Sequence, residues 1–171
     1  YLRRSDKKVF APEQIELNNQ PKTELNFLTN RELIKLLEAP INRSSDSNNK
    51  QPIQLRNKAL LEFLFATGLK ISEVIGFKKT TLKNFKLGQQ AQFWLKKYLE
   101  KRTDKLPYLF ISYDRASNAR TKTEPTAAAL TPRSLQRIVR KYSTLAGLTK
   151  KVTPQIIRNT FSLKLLNNGA T

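Results

Sequence analysis

Two segments of the chain begin with Thr-Pro and then place apolar residues at helical spacing. In LTPRSLQRIVRKYSTLAGL, Thr131 is a favourable helix cap, and Pro132 suits a first turn because its missing backbone N–H is not needed there. VTPQIIRNTF repeats the arrangement with Thr153 and Pro154. We therefore predict two capped helices. The first has one apolar face, formed by Leu135, Ile138, Val139, Tyr142 and Leu145.

Similar signals predict helices earlier in the chain. Thr29 and Glu32 have the spacing of a capping box, and we expect Pro40 to follow the end of that first helix. A second helix is predicted over residues 55–67, with Gly68 as its C-terminal stop. The polar stretch INRSSDSNNKQP between the two indicates a loop.

Shorter signals complete the expected fold. We expect Ser72 to cap a short third helix, and QAQFWLKKYLEKR to form a fourth that packs Phe93 and Trp94 inward. PYLFIS is typical of a short buried strand or extended segment, and YDRASNARTKTEPTAAA is typical of a flexible basic loop. The sequence therefore predicts a mainly α fold with a small β component.

Charge and composition limit the functions that this fold can serve. The 171 residues include 32 Lys and Arg against 13 Asp and Glu, and a net charge of +19 favours polyanionic partners, above all nucleic acid. The chain has no Cys and no His, which excludes disulfides, zinc fingers and Ser-His-Asp catalysis within these residues. We expect neither a metal ion nor another cofactor.

One face of the helix that Thr131 caps is cationic. Arg133, Arg137, Arg140 and Lys141 lie away from its apolar stripe, with no acidic residue between them. This is either an ordinary solvated face or a surface that follows the phosphates of a nucleic acid, and the sequence leaves both open.

The chain divides into an arm and a domain. Residues 1–26 lack a sustained period and contain two prolines, so we expect a linker or arm from a preceding domain, while residues 27–171 form the predicted domain. No stretch is long and apolar enough to span a bilayer, and no signal peptide is recognisable. We expect a cytoplasmic, DNA-associated protein that does not contact membranes.

Four stretches of this chain resemble segments of one known protein family, and they occur along the chain in the same order as in that family. LRNKALLEFLFATGLKISEVIGF is similar to the segment of tyrosine recombinases (phage integrases and Xer-type resolvases) in which a helix is followed by A-T-G-L-R-I-S-E-L. LTPRSLQRIVRKYSTLAGLTKKVTPQIIRNTFSLKLLNNGAT resembles their later segment with T-P-H-x-L-R-H-T-F-A. FLTNRELIKLLEAP matches the usual opening of the catalytic domain, and PYLFIS matches the strand before its penultimate helices. The resemblance covers about residues 27–171.

The resemblance implies the DNA breaking-rejoining catalytic-domain fold, a mostly helical clamp around duplex DNA, here truncated at its C-terminal side. Family members attack a DNA phosphate with a tyrosine, form a 3′-phosphotyrosyl link and need no metal. Two arginines hold the phosphate, a histidine three residues before the second arginine assists proton transfer, and a lysine on a β-hairpin protonates the leaving 5′ oxygen. The implied partners are duplex DNA and further subunits, identical or different, assembled on it.

Carried over position by position, the resemblance assigns catalytic places to four side chains. Arg158 matches the second arginine, and Lys70 stands at the first, where it keeps the charge but loses the two-pronged hydrogen bond. Gln155 stands at the histidine position and cannot shuttle a proton near neutral pH. Glu73 matches the glutamate three positions after the first arginine. Asn159 replaces the histidine after the second arginine, and we count it among the expected DNA contacts.

Two elements of the family pattern have no counterpart in this sequence. Too few residues separate Gly76 from the helix around Trp94 for the expected hairpin, so the general acid is left unassigned among Lys78, Lys79, Lys83 and Lys86. None of the five tyrosines matches the nucleophile position. We therefore expect this polypeptide by itself not to cleave DNA.

Three functions remain open from the sequence. The first is a DNA-binding catalytic-domain part of a site-specific recombinase, and the second is a degenerate relative that binds duplex DNA without cleaving it. The third, a basic helical protein associated with RNA or the ribosome, explains the charge but not the two motif blocks. A preference for structured RNA over duplex DNA would favour the third.

Overall fold

The computed structural model describes residues 26–42, 51–113 and 129–169. The helices of this part are α1 Asn30–Asn42, α2 Gln51–Thr67, α3 Ile71–Gly76, a 3-10 helix Thr81–Asn84, α4 Gln89–Glu100, α5 Pro132–Leu145 and α6 Pro154–Asn167. Strand pairing within these ranges consists of two isolated antiparallel bridges, Lys78 with Tyr108 and Ile111 with Ala129. The prediction of a mainly α fold with a small β component is confirmed.

Helix α2 occupies the centre of the fold. It packs against α1, α4 and α6, and residues 56–64 are all buried. The apolar run ALLEFLF explains this position, because a helix that is apolar on every side needs neighbours on every side. Two opposite charges within this buried stretch neutralise each other, since Lys58 Nζ lies 2.6 Å from Glu62 Oε1.

Hydrogen bonds confirm two predicted helix boundaries. At the start of α1, the backbone N–H of Thr29 donates to Glu32 Oε2 at 2.8 Å, and the backbone N–H of Glu32 donates to Thr29 Oγ1 at 3.3 Å. At the end of α2, the N–H of Gly68 donates to the Leu64 carbonyl at 3.0 Å, and Gly68 has a φ of 60°. Glycine adopts this left-handed conformation without steric cost, so the chain turns sharply into α3.

Three other predictions were wrong: the end of α1, the start of α2 and the buried face of α4. Pro40 lies inside the last turns of α1, where its buried ring packs into the core and offsets the lost backbone hydrogen bond. Helix α2 begins at Gln51, one turn before the predicted start, because Ile53 alone gives its first turn too little apolar periodicity to mark a helix. Phe93 is 49% exposed, since the buried face of α4 is formed by Ala91, Leu95 and Tyr98.

Arg102 anchors the segment that was predicted as a strand. Its Nη1 donates to the carbonyls of Tyr108 and Leu109 at 2.8 Å each, and its Nε donates to Asp104 Oδ2 at 2.8 Å. The next residues are buried as predicted, namely Leu109, Phe110 and Ile111. The segment thus passes through the core and is fixed to the end of α4 by one guanidinium.

Several expectations concern residues outside the described ranges. The predicted arm, except for Asn26, and most of the two predicted loops fall there. Within the described ranges, none of the helices has the length and apolar content that a bilayer-spanning segment needs.

Candidate functional site

A hollow of about 330 Å³ lies where three helices begin, and we call it the central hollow. Its lining residues are Leu69, Lys70, Ile71, Ser72, Pro132, Pro154, Gln155 and Arg158. Three of the four predicted catalytic residues line it together, namely Lys70, Gln155 and Arg158, although Lys70 lies far from the other two in the sequence. The described residues around the hollow include two cations and no carboxylate.

The Thr-Pro sequences place the starts of α5 and α6 at the central hollow. Thr131 Oγ1 accepts a hydrogen bond from the N–H of Ser134 at 3.1 Å, and Thr153 Oγ1 accepts one from the N–H of Ile156 at 3.3 Å. Both predicted caps are therefore confirmed, and the proline after each cap lines the hollow. Because a helix start carries partial positive charge and N–H groups without helical partners, two such starts favour an anion between them.

Lys70 stands at the junction of α2 and α3. Its backbone N–H donates to Glu73 Oε2 at 2.6 Å, so Lys70 is the N-cap residue of α3. The prediction that Ser72 caps this helix was wrong, because the turn at Gly68 lets the helix begin at Ile71 and leaves Ser72 within it. Glu73 does not line the central hollow; its observed contact is with the helix start, and its catalytic role stays a prediction.

Arg158 lies on the second turn of α6 and is half-buried. Residues three and four apart share a helix face, so Arg158 projects on the same side as Pro154 and Gln155. The helix is held in the core by Ile157 and Thr160, which are buried. The cap at Thr153 therefore fixes where the guanidinium enters the hollow.

Gln155 is exposed at the hollow, and a neighbour on the same helix holds its side chain. Gln155 Nε2 donates to Asn159 Oδ1 at 2.8 Å, and Asn159 Nδ2 donates to the backbone oxygen of Asn26 at 3.4 Å. Asn159 does not line the central hollow. Its predicted contact with DNA stays a prediction, and the contact found for it is with the beginning of the described chain.

A larger cavity of about 780 Å³ adjoins the central hollow, and Pro154 lines both. We call it the basic groove, because its charged lining residues are Arg133, Arg137, Arg140, Lys150 and Lys151, with no carboxylate among the described residues around it. The two lysines were missed from the sequence, although TKKVTP places them directly before the cap at Thr153. Lys150 also reaches α1, since its Nζ lies 3.0 Å from Glu32 Oε2.

Lys141 is the one predicted DNA-binding cation of α5 that does not line the basic groove. At 100° per residue, Arg137 and Arg140 lie within roughly 40° of Arg133 on the helix, whereas Lys141 lies roughly 80° away. Lys141 lines a different cavity of about 230 Å³, which it shares with Arg56 and Arg137, and its Nζ lies 5.6 Å from the centre of the Tyr142 ring. Its predicted role in DNA binding stays a prediction.

The described segment between α3 and α4 contains no hairpin. The N–H of Lys79 donates to the Pro107 carbonyl at 2.8 Å, the N–H of Leu109 donates to the Phe77 carbonyl at 2.7 Å, and the 3-10 helix Thr81–Asn84 follows. None of the candidate general acids lines the central hollow: Lys78, Lys79, Lys83 and Lys86. The general acid therefore remains unassigned.

No family model matches this sequence. The tyrosine recombinase XerD of Chlorobaculum tepidum is 32% identical to it over 161 residues, which cover 85% of this chain and 50% of that protein. The tyrosine recombinase XerC of Pelotomaculum thermopropionicum is 31% identical over 160 residues, with 84% and 49% covered. This chain belongs to the tyrosine recombinase family. It spans about half the length of the curated tyrosine recombinases that it matches.

Two solved recombinases share the fold of this tyrosine recombinase domain. The XerA recombinase superposes with a TM-score of 0.68 at 22% identity, covering 92% of this chain and 55% of that one. The XerH recombinase, solved in a pre-cleavage complex with its difH substrate, gives a TM-score of 0.61 at 20% identity, with 85% and 44% covered. The predicted catalytic-domain fold is confirmed.

Proposed function

We propose that this tyrosine recombinase domain binds duplex DNA, with a backbone phosphate in the central hollow and the neighbouring backbone along the basic groove. The observation that carries the proposal is the convergence of Lys70, Gln155 and Arg158 on a hollow formed by helix starts. A guanidinium fork binds two phosphate oxygens at once, an ammonium adds charge, and helix N–H groups add donors. Each of these features favours a phosphate over a neutral ligand.

The basic groove supports the same ligand. The groove continues from the hollow past Pro154 and adds five cationic side chains. Contacts between lysine or arginine side chains and phosphates hold a protein in register on a nucleic-acid backbone. Of the two readings of the α5 cations, an ordinary solvated face or a phosphate-binding one, this placement beside the hollow favours the second. The solved XerH complex with its difH substrate supports DNA as the ligand class.

Binding without cleavage is the activity that we propose for this chain alone. Strand cleavage needs a nucleophile and an acid for the leaving oxygen, in addition to preorganised charge. Gln155 can donate an N–H to a phosphate oxygen but does not titrate, and the lysines of residues 78–86 lie away from the hollow. This binding step would be the same in both alternatives, a larger recombinase that cleaves DNA through a phosphotyrosine and a degenerate relative that binds DNA without cleaving it.

The wider setting belongs to the same proposal. The domain acts in the cytoplasm on DNA, follows an N-terminal arm formed by residues 1–26, and joins further subunits on the duplex. That the relatives XerC and XerD are named tyrosine recombinases supports a role on DNA.

Arg158→Ala tests the proposed function. We expect its affinity for a mixed-sequence duplex to fall roughly tenfold or more, because charge-assisted hydrogen bonds to phosphate are lost. The melting temperature should stay near that of the parent, since the guanidinium is not part of the core. Lys101→Ala removes the same charge from an exposed site outside the hollow and the groove, and serves as the control. Equal affinities of the two variants would contradict the proposal.

Two further assays separate the alternative functions. Competition between duplex DNA and structured RNA should favour the duplex, and a clear preference for RNA would support the RNA-associated alternative instead. Incubation with a nicked duplex followed by denaturing electrophoresis should give no covalent protein–DNA adduct. An adduct would show that this chain cleaves DNA and would overturn the proposal of binding alone.

A further inference from the structure

We propose that Asn159 is a positioning residue that sets the orientation of the Gln155 amide in the central hollow and ties it to the backbone at Asn26. The inference rests on the proposed function, because it concerns how Gln155 meets a phosphate. It also gives Asn159 a role that differs from the direct DNA contact predicted from the sequence.

The Asn26 carbonyl decides which way both amides point. A backbone carbonyl only accepts hydrogen bonds, so the Asn159 atom that faces it at 3.4 Å is Nδ2. Asn159 Oδ1 then faces Gln155, and Gln155 Nε2 is the atom that donates to it at 2.8 Å. A side-chain amide otherwise has two orientations of similar shape. One fixed carbonyl therefore orients two side chains in series.

This orientation has a consequence at the hollow. Gln155 Nε2 carries two N–H groups, of which one engages Asn159 and the other can reach a phosphate oxygen. If the amide were reversed, its oxygen would meet the phosphate oxygens, and the two acceptors would repel each other. Holding the side chain in the productive rotamer also reduces the entropy that binding would otherwise cost.

The backbone at Asn26 is a stable reference because the next residues are fixed to other elements. The N–H of Leu28 donates to the buried Thr160 Oγ1 at 2.9 Å, and Lys150 Nζ donates to the carbonyl of Phe27 at 3.2 Å. These contacts hold residues 26–29 against α6 and the loop before it. The series of hydrogen bonds from Asn26 to Gln155 therefore starts from a segment that is held in place by its contacts with α6 and the loop before it.

A double-mutant cycle tests the inference. Duplex affinity and melting temperature are measured for the 171-residue chain, Gln155→Ala, Asn159→Ala and the double variant. We expect each single variant to bind about fivefold more weakly, the size typical of one hydrogen bond, and the double variant to bind no more weakly than Gln155→Ala. A residue with only a structural role would lower the melting temperature without this non-additivity in binding. Asn167→Ala, an exposed asparagine on the same helix, is the control.

Other results would overturn the inference. Asn159→Ala with parental affinity, Gln155→Ala with parental affinity, or additive losses in the double variant would each do so. Asn159→Asp keeps the size of the side chain but places an acceptor against the Asn26 carbonyl, so it should bind more weakly than Asn159→Ala. If Arg158→Ala also binds as well as the parent, the proposed function itself fails; if only Arg158→Ala weakens binding, the inference alone fails.

Discussion

Lys70 and Arg158 line one hollow from two different helices, Lys70 at the N-cap of α3 and Arg158 on the second turn of α6. The family pattern has an arginine at both places, so this chain keeps both positive charges but only one guanidinium fork. In the proposed complex, the guanidinium of Arg158 would donate two parallel hydrogen bonds to a phosphate, and the ammonium group of Lys70 would add a positive charge on its other side.

Lys70→Arg should therefore strengthen duplex binding about threefold to tenfold, because a second fork adds a charge-assisted hydrogen bond in a site that already accepts a cation. Fluorescence anisotropy with a labelled duplex measures the change. Lys101→Arg makes the same exchange at an exposed site away from the hollow and should leave affinity unchanged. Affinity that stays the same or falls in Lys70→Arg, with an unchanged melting temperature, would remove Lys70 from the phosphate site.

The basic groove predicts a defined salt dependence. Each lysine or arginine that neutralises a DNA phosphate contributes about 0.9 to the slope of log affinity against log salt concentration. Arg140→Ala and Lys151→Ala should each lower the slope by about that amount. Lys141→Ala, which removes a cation of α5 that does not line the basic groove, should lower it less. If Arg140→Ala and Lys151→Ala both showed the same salt slope as the parent protein, the DNA backbone would lie outside the basic groove.

The parts of the site that could be predicted are those that local chemistry specifies. Thr131 and Thr153 cap their helices through bonds to residues three positions on, and these bonds need no knowledge of the fold. Once the helix start is known, the face that carries Arg158 follows from the helical period. The family resemblance then supplied the pairing of Arg158 with Lys70, which no local pattern contains.

The parts that could not be predicted depend on contacts between distant segments. Asn159 meets the backbone of Asn26, 133 positions away in the sequence, and nothing near either residue signals this contact. Lys150 and Lys151 belong to the groove only because the loop before α6 folds beside α5. Pro40 was misplaced for a similar reason, since burial of its ring outweighs the usual tendency of proline to end a helix.

Gly68→Ala should destabilise the domain by about 2 to 4 kcal/mol, since two costs coincide. The φ of 60° disfavours a residue with a Cβ, and that Cβ would clash with the Phe161 ring. Urea unfolding measures the loss. Gly76→Ala adds a methyl group where no atom lies within 4 Å and should be neutral or slightly stabilising. Similar stabilities for Gly68→Ala and Gly76→Ala would contradict the close packing of α2 on α6.

The Arg102–Asp104 pair makes stability depend on pH. Hydrogen bonds from the Arg102 guanidinium hold the pKa of Asp104 below its usual value. A lowered folded-state pKa stabilises the protein above the unfolded value of about 3.9, and this contribution is lost as the pH falls through the folded-state pKa. Asp104→Asn removes the ionised partner of a nearly buried guanidinium, so it should cost about 2 kcal/mol at pH 7.

The difference between the parent and Asp104→Asn should therefore shrink as the pH is lowered below about 4, because the parent loses the contribution that the variant already lacks. Urea unfolding of both proteins from pH 7 down to pH 3 measures this difference. Glu38→Gln, which neutralises an exposed carboxylate on α1, should unfold like the parent at pH 7. A difference between the parent and Asp104→Asn that stays constant across the range would mean that the ionised carboxylate does not contribute, and the anchoring of the Tyr108–Leu109 segment would then rest on the carbonyl contacts of Arg102 alone.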